Sequence, residues 1–130
     1  MKIKISALDK KFSYYIRWIR DKGKCQRCGK EYKPPTSALH CSHFWGRARK
    51  STRFSVDNCC SLCYGCHMHM TAQPQEHRDF MLKRLGQLRY DCLMVEANSP
   101  NRPDYEGIRI WLEMEINKGK EKVIGGKILP

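Results

Sequence analysis

The chain predicts an α+β fold: a two-stranded hairpin and a short helix, stapled by a metal, with further helices at both ends. Three observations carry this. Two Cys-x-x-Cys pairs, Cys25/Cys28 and Cys63/Cys66, are separated by thirty-four residues. Between them, 38–44 and 53–56 read as strands. The segments before and after carry apolar residues at helical spacing.

With 130 residues, the prior is one domain with a modest core. A net charge of +12 points to a polyanionic partner, nucleic acid first. An anionic membrane surface is the weaker partner, because no basic segment has a strongly apolar face. No apolar run approaches the roughly 18–20 residues of a membrane span. The basic start, MKIKISALDKKF, lacks the apolar stretch of a signal peptide. The expected location is therefore the cytoplasm of a bacterial host cell. In that reducing setting the eight cysteines suggest metal ligation rather than disulfides.

The first helix is expected over 6–22. Leu8, Phe12, Tyr15, Ile16 and Ile19 share one face, Ser6 or Asp9 caps the start, and Gly23 stops it. Lys10, Lys11, Arg17 and Arg20 fall mostly on the other side and read as a solvated face, with phosphate contact as the alternative. Residues 24–30 then form a knuckle, in which Gly29 permits the turn that brings Cys25 and Cys28 to one ion. Cys63 and Cys66 complete a four-thiolate structural zinc site. Cys41, Cys59, Cys60 and Cys92 read as packing.

Between the pairs, the strand at 38–44 carries His40 and His43. A basic loop follows at 45–52, then the strand at 53–56, a turn at Asp57–Asn58, and a helix from about Ser61 to Met70. This is strand, loop, strand and helix around one histidine cluster. A second long helix is expected over 75–92, with Gly86 as an internal weak point. ANSPNRP at 97–103 is a breaker. A third helix, capped by Asp104, is expected over 104–117. The single domain, 1–130, thus divides into the helix at 6–22, a core at 24–72, a helical part at 74–117 and a loose tail at 118–130.

Phosphodiester hydrolysis needs a base, charge to offset the growing phosphate charge, and stabilisation of the leaving 3′ oxygen. A neutral histidine suits the first task, and one divalent ion can serve the other two. His43 and His67 fit as base and ion ligand. Taken alone, His43 would be an unremarkable strand histidine; the spaced set argues otherwise. Arg47, Arg49, Lys50 and Arg53 between them are expected to hold DNA phosphates without reading sequence. Trp45 is expected to pack beneath that loop, and His69 and His77 to lie on the surface.

The set His43, Asn58 and His67 resembles the HNH nucleases, whose core is a ββα-metal fold. Flanking cysteine pairs resemble the zinc-bound HNH branch and the phage junction resolvases of the endonuclease VII type. SHFWGRARKSTRFSVDN, CYGCHMHMTAQ and EHRDFMLKRLG are similar to the lambdoid-phage NinG (Rap) recombination nucleases, across roughly residues 24–90. The resemblance implies His43 as general base, Asn58 pinning the loop after it, and His67 on a catalytic divalent ion, magnesium or manganese. It implies a separate zinc on Cys25, Cys28, Cys63 and Cys66. Two positions depart from the pattern: Ser42 and Thr71 stand where many relatives carry further ligands, which leaves His40 and His69 as the residues to help.

The expected function is a metal-dependent DNA endonuclease of phage or prophage recombination or DNA processing, acting on duplex or branched DNA. It would be a homodimer if one event cuts both strands. The alternative is a non-catalytic zinc-finger nucleic-acid-binding protein.

Overall fold

Ser6 opens the first helix through a reciprocal cap. Its hydroxyl accepts the Asp9 N–H at 3.1 Å, and the Asp9 carboxylate accepts the Ser6 N–H at 2.7 Å. The computed structural model describes residues 3–128, with side chains described for 3–120. In it α1, Ala7–Tyr14, widens without interruption into a π-helical stretch, Tyr15–Arg20. Lys22 and Gly23 then take positive φ and reverse the chain. A Cβ on Gly23 would collide with the Tyr32 carbonyl, so only glycine fits there.

β1 (Leu39–His43) pairs antiparallel with β2 (Cys59–Cys63), with His43 opposite Cys59 and His40 opposite Leu62. The second strand was expected at 53–56 and lies instead at 59–63. Its sequence, CCSLC, does not alternate because the strand is covered on both faces, and four of its five residues are buried. Its outer edge is closed too. Ser61 N–H donates to Asp21 at 2.8 Å and Gln26 N–H to the Ser61 carbonyl at 2.9 Å. Residues 50–58 form two short 3-10 turns, Lys50–Thr52 and Val56–Asn58, in place of the expected strand and turn.

α2, Tyr64–Ala72, starts and ends a few residues later than expected, because Cys63 is its N-cap. The long helix expected over 75–92 is two helices, α3 (Pro74–Leu85) and α4 (Gln87–Ala97). Gly86, at φ +83°, ends one and begins the next. Asp104 caps α5 (Tyr105–Ile128), its carboxylate accepting the Gly107 N–H at 3.0 Å. α5 continues through most of the tail that was expected to be loose; positions 129–130 lie outside the described residues. Gly119, read as a tail glycine, is a packing glycine: a Cβ there would come 2.7 Å from Ile19.

Three apolar clusters hold these elements. Phe12, Ile16, Leu112 and Ile116 join the first helix to α5 on one face of the hairpin. Leu39, Leu62 and Met70 pack beneath the cysteine pairs. Met81, Leu85, Tyr90 and Leu93 fix α3 and α4 against Phe44 and Trp45. Each fully buried aliphatic side chain contributes about 1.5–3 kcal/mol. Among the described residues, no helix is long and apolar enough to cross a membrane.

Candidate functional site

The cysteine pairs meet at one point. The knuckle is closed by Cys25 N–H to the Lys30 carbonyl and Gly29 N–H to the Cys25 carbonyl, both 2.9 Å, with Gly29 at φ +82°. The second pair sits on the start of α2, where the Cys63 sulfur accepts the Cys66 N–H at 3.4 Å. All four Sγ atoms lie within 4.8 Å of one another, and Cys28 and Cys63 are 3.9 Å apart. A tetrahedral zinc with Zn–S near 2.3 Å requires sulfurs about 3.8 Å apart, so Cys25, Cys28, Cys63 and Cys66 could hold a structural metal ion. Burial raises Cys25, yet the N–H groups of Cys28, Cys63 and Arg27 bring it down to about 6. Burial pushes Cys66 up to about 12 against the pull of Arg27. A divalent cation held there would offset the cost of bringing neighbouring thiolates together. Arg27 donates to the Cys66 sulfur at 3.4 Å and pairs with Glu76, which also takes His69 at 2.9 Å. His69 thus belongs to this outer ring, not to the histidine cluster it was expected to help.

The hairpin and α2 bring His40 and His67 together, Nδ1 to Nδ1 at 2.8 Å. Two grooves meet at His67. One, of about 370 Å³, is lined by Ser13, Arg17, His40 and Arg47 among others. The other, of about 260 Å³, is lined by Ser42, His43, Thr71 and His77. No carboxylate lines either groove among the described residues. His43 ends β1 with its ring 6.1 Å from Phe12. Its Nε2 donates to the Arg53 carbonyl at 2.9 Å, so Nδ1 keeps the lone pair; that atom is buried and has no partner. Burial, reinforced by the Arg47 charge, lowers His43 to about 4. Burial and then His40 lower His67, and burial and then His67 lower His77. These three imidazoles are therefore held neutral.

Asn58 is fully buried. Its Oδ1 accepts the Trp45 N–H at 2.8 Å, and its Nδ2 donates to the carbonyls of Trp45 at 2.8 Å and Thr52 at 3.1 Å. The Phe44 N–H donates to the Asn58 carbonyl at 2.8 Å. Both residues that follow His43 are thereby tied to one side chain and its backbone.

A family model described as Bacteriophage Lambda NinG protein matches residues 2–122, nearly the whole chain. The chain belongs to the NinG family. No curated protein and no solved structure matches it. In this NinG-family chain the four expected phosphate ligands separate. Arg53 is held by Asp9 at 2.6 and 2.9 Å and by the Lys4 carbonyl, and Arg49 by the Ala97 carbonyl, the Asn98 amide oxygen and the Trp45 ring. Both serve the scaffold. Lys50 is exposed, and Arg47 lines the larger groove. Trp45, expected to pack beneath the basic loop, packs against the α3–α4 cluster, with Arg49 of that loop over its ring.

Two groove residues were not picked out from the sequence. His77, read as a surface residue, is half-buried against Phe44 with Nε2 unpartnered. Arg17, read as part of a solvated face with phosphate contact as the alternative, lines the larger groove. Their sequence distance from the motif hides both. Thr71 spends its hydroxyl on the His67 carbonyl at 2.9 Å. Cys41 and Cys59 flank His43, and burial pushes Cys59 well up, as suits a packed thiol. Cys92, expected to pack, is exposed.

Proposed function

We propose that this NinG-family chain is a metal-dependent DNA endonuclease with an HNH-type core, acting in phage recombination or DNA processing inside the bacterial host. The observation that carries the reading is His43. Its tautomer is set by the Arg53 carbonyl, the loop after it is pinned by Asn58, and it shares a groove with His67. In this reading the His43 imidazole takes a proton from water, which requires its buried Nδ1 to be opened to the groove when DNA binds. The water oxygen bonds to phosphorus as the P–O3′ bond breaks, and the departing oxygen gains a proton from solvent. The products are a 5′ phosphate and a 3′ hydroxyl.

His67 and His40 would hold the catalytic ion. Two nitrogens sharing one ion at 2.0–2.1 Å lie about 2.9–3.4 Å apart, close to the 2.8 Å found here. When bound, the ion would offset charge on the phosphate and the leaving oxygen. An imidazole pair without a carboxylate suits a transition-metal ion better than magnesium. Arg47 adds fixed positive charge beside His67, and Lys50 remains free for the DNA backbone.

The test is plasmid nicking by wild-type and His43→Ala protein with magnesium, manganese or no added ion. The reading expects ion-dependent nicking, faster with manganese, that His43→Ala abolishes while DNA affinity is retained. A second reading, a non-catalytic zinc-finger DNA-binding protein, is favoured by the lack of any carboxylate in the grooves. Tight, salt-sensitive binding without cleavage of duplex, branched or single-stranded DNA would select it.

A further inference from the structure

We propose that Arg17 and Arg47 form a subsite for a DNA backbone phosphate next to the one that is cut. This rests on the nuclease reading only in placing the strand across His67, where the two grooves meet.

Arg17 rises from the π-helical stretch, far in sequence from the histidine motif. Its Nε donates to the Ser13 hydroxyl at 2.9 Å and its Nη1 to the Leu39 carbonyl at 3.3 Å, and the guanidinium lies 5.4 Å from the Trp18 ring centroid. Two of its three nitrogens are anchored, so the remaining edge is presented to the groove with little freedom left to lose. No acidic side chain pairs with it among the described residues.

Arg47 is complementary. Its Nε is buried without a hydrogen-bond partner. The one carboxylate near it among the described residues, Asp9, is 3.8 Å away and already takes two bonds from Arg53. Asp9 carries one negative charge against two guanidiniums, so the Arg47 charge is left over. A groove with two guanidiniums from separate elements, two hydroxyls (Ser13, Ser37) and no carboxylate suits a phosphodiester. Continuity with the second groove at His67 favours a strand over an isolated anion.

The experiment is DNA binding by the His43→Ala protein without added divalent ion, read by fluorescence anisotropy over a range of salt. Single methylphosphonates are placed in turn at each phosphate of the probe. Arg17→Gln in that background should weaken binding about tenfold and reduce the salt slope by about 0.9, the value for one phosphate. At one position the methylphosphonate should weaken the parent protein but cost Arg17→Gln nothing further. Losses that multiply at every position would overturn the assignment. So would displacement of DNA by millimolar inorganic phosphate at constant ionic strength, which would mark a free-phosphate site. A thermal melt reports folding, and if Arg17→Gln is unfolded, Arg47→Gln takes its place in the same scan. A position-specific pattern in a protein that never cuts would uphold the subsite and sink the nuclease reading. Cutting without any such pattern would do the reverse.

Discussion

Asn58 holds Trp45 from both sides, accepting its N–H and donating to its carbonyl, each at 2.8 Å. Asn58→Ala leaves the Trp45 N–H and carbonyl without these partners, at about 1–3 kcal/mol for each group left unsatisfied, while the Thr52 carbonyl keeps the Ser55 N–H. The expected loss is about 2–4 kcal/mol by urea denaturation, with cleavage reduced further than folding explains. Asn58→Asp sets a buried carboxylate oxygen against the Trp45 and Thr52 carbonyls and should cost at least as much as alanine.

Arg53 and Lys50 are neighbours in sequence with different work. Arg53 bonds an Asp9 carboxylate that is almost wholly buried. Burial pushes Asp9 up, but the Arg53 and Ser6 hydrogen bonds overcome it and bring Asp9 down to about 2. Arg53→Gln should therefore cost about 3–5 kcal/mol of stability, as when one partner of a buried pair is removed. Lys50→Gln should leave the urea midpoint in place and lower only DNA affinity. Equal effects of the two on stability would contradict this division.

Some of the architecture is legible in the sequence because its chemistry constrains spacing. The knuckle must place two thiols on one ion, so Cys25-x-x-Cys28 with Gly29 can be read directly; the Ser6 and Asp104 caps are local in the same way. His40, His43 and His67 reach the same pair of grooves because a hairpin followed at once by a helix leaves little choice. What was misread depends on distant partners. CCSLC lacks alternation because helices and the 21–26 segment cover it. Arg49 and Arg53 look free until Ala97 and Asp9 are brought beside them by folding. Arg17 and His77 sit on helices whose local pattern says only which face is polar.

The cysteine cluster should hold one zinc per chain. Cys63→Ser removes a sulfur ligand, while its hydroxyl can still cap the start of α2. The variant should retain little or no zinc by elemental analysis and lose cooperative thermal unfolding, because binding at such a site supplies folding free energy. Cys92→Ser, at an exposed site away from the cluster, should leave both unchanged.

Stability should fall as pH drops from about 6.5 towards 4. Over that range the unfolded imidazole of His43, titrating near 6.5, binds a proton that the folded one, at about 4, does not. The sign follows from the unfolded state binding more protons. The contribution is on the order of 3 kcal/mol, complete near pH 4 and absent above pH 7. His67 and His77 act in the same direction. Asp9, lowered to about 2, stabilises the fold above the unfolded carboxylate range and loses that contribution only as pH falls through about 2. Comparing urea midpoints at pH 7.5 and 5 for wild type and His43→Phe isolates the His43 share. The variant should lose less on acidification, and an identical loss would contradict the assignment.

The central claim is that the His43 imidazole is the base, and chemical rescue tests it most directly. His43→Gly should cut DNA at least about a hundredfold more slowly than wild type, general-base catalysis being worth about 10²–10⁴. Added imidazole should restore part of the rate in proportion to its neutral form, while doing nothing for Asn58→Ala. A His43→Gly protein that cuts as fast as wild type without imidazole would contradict the claim.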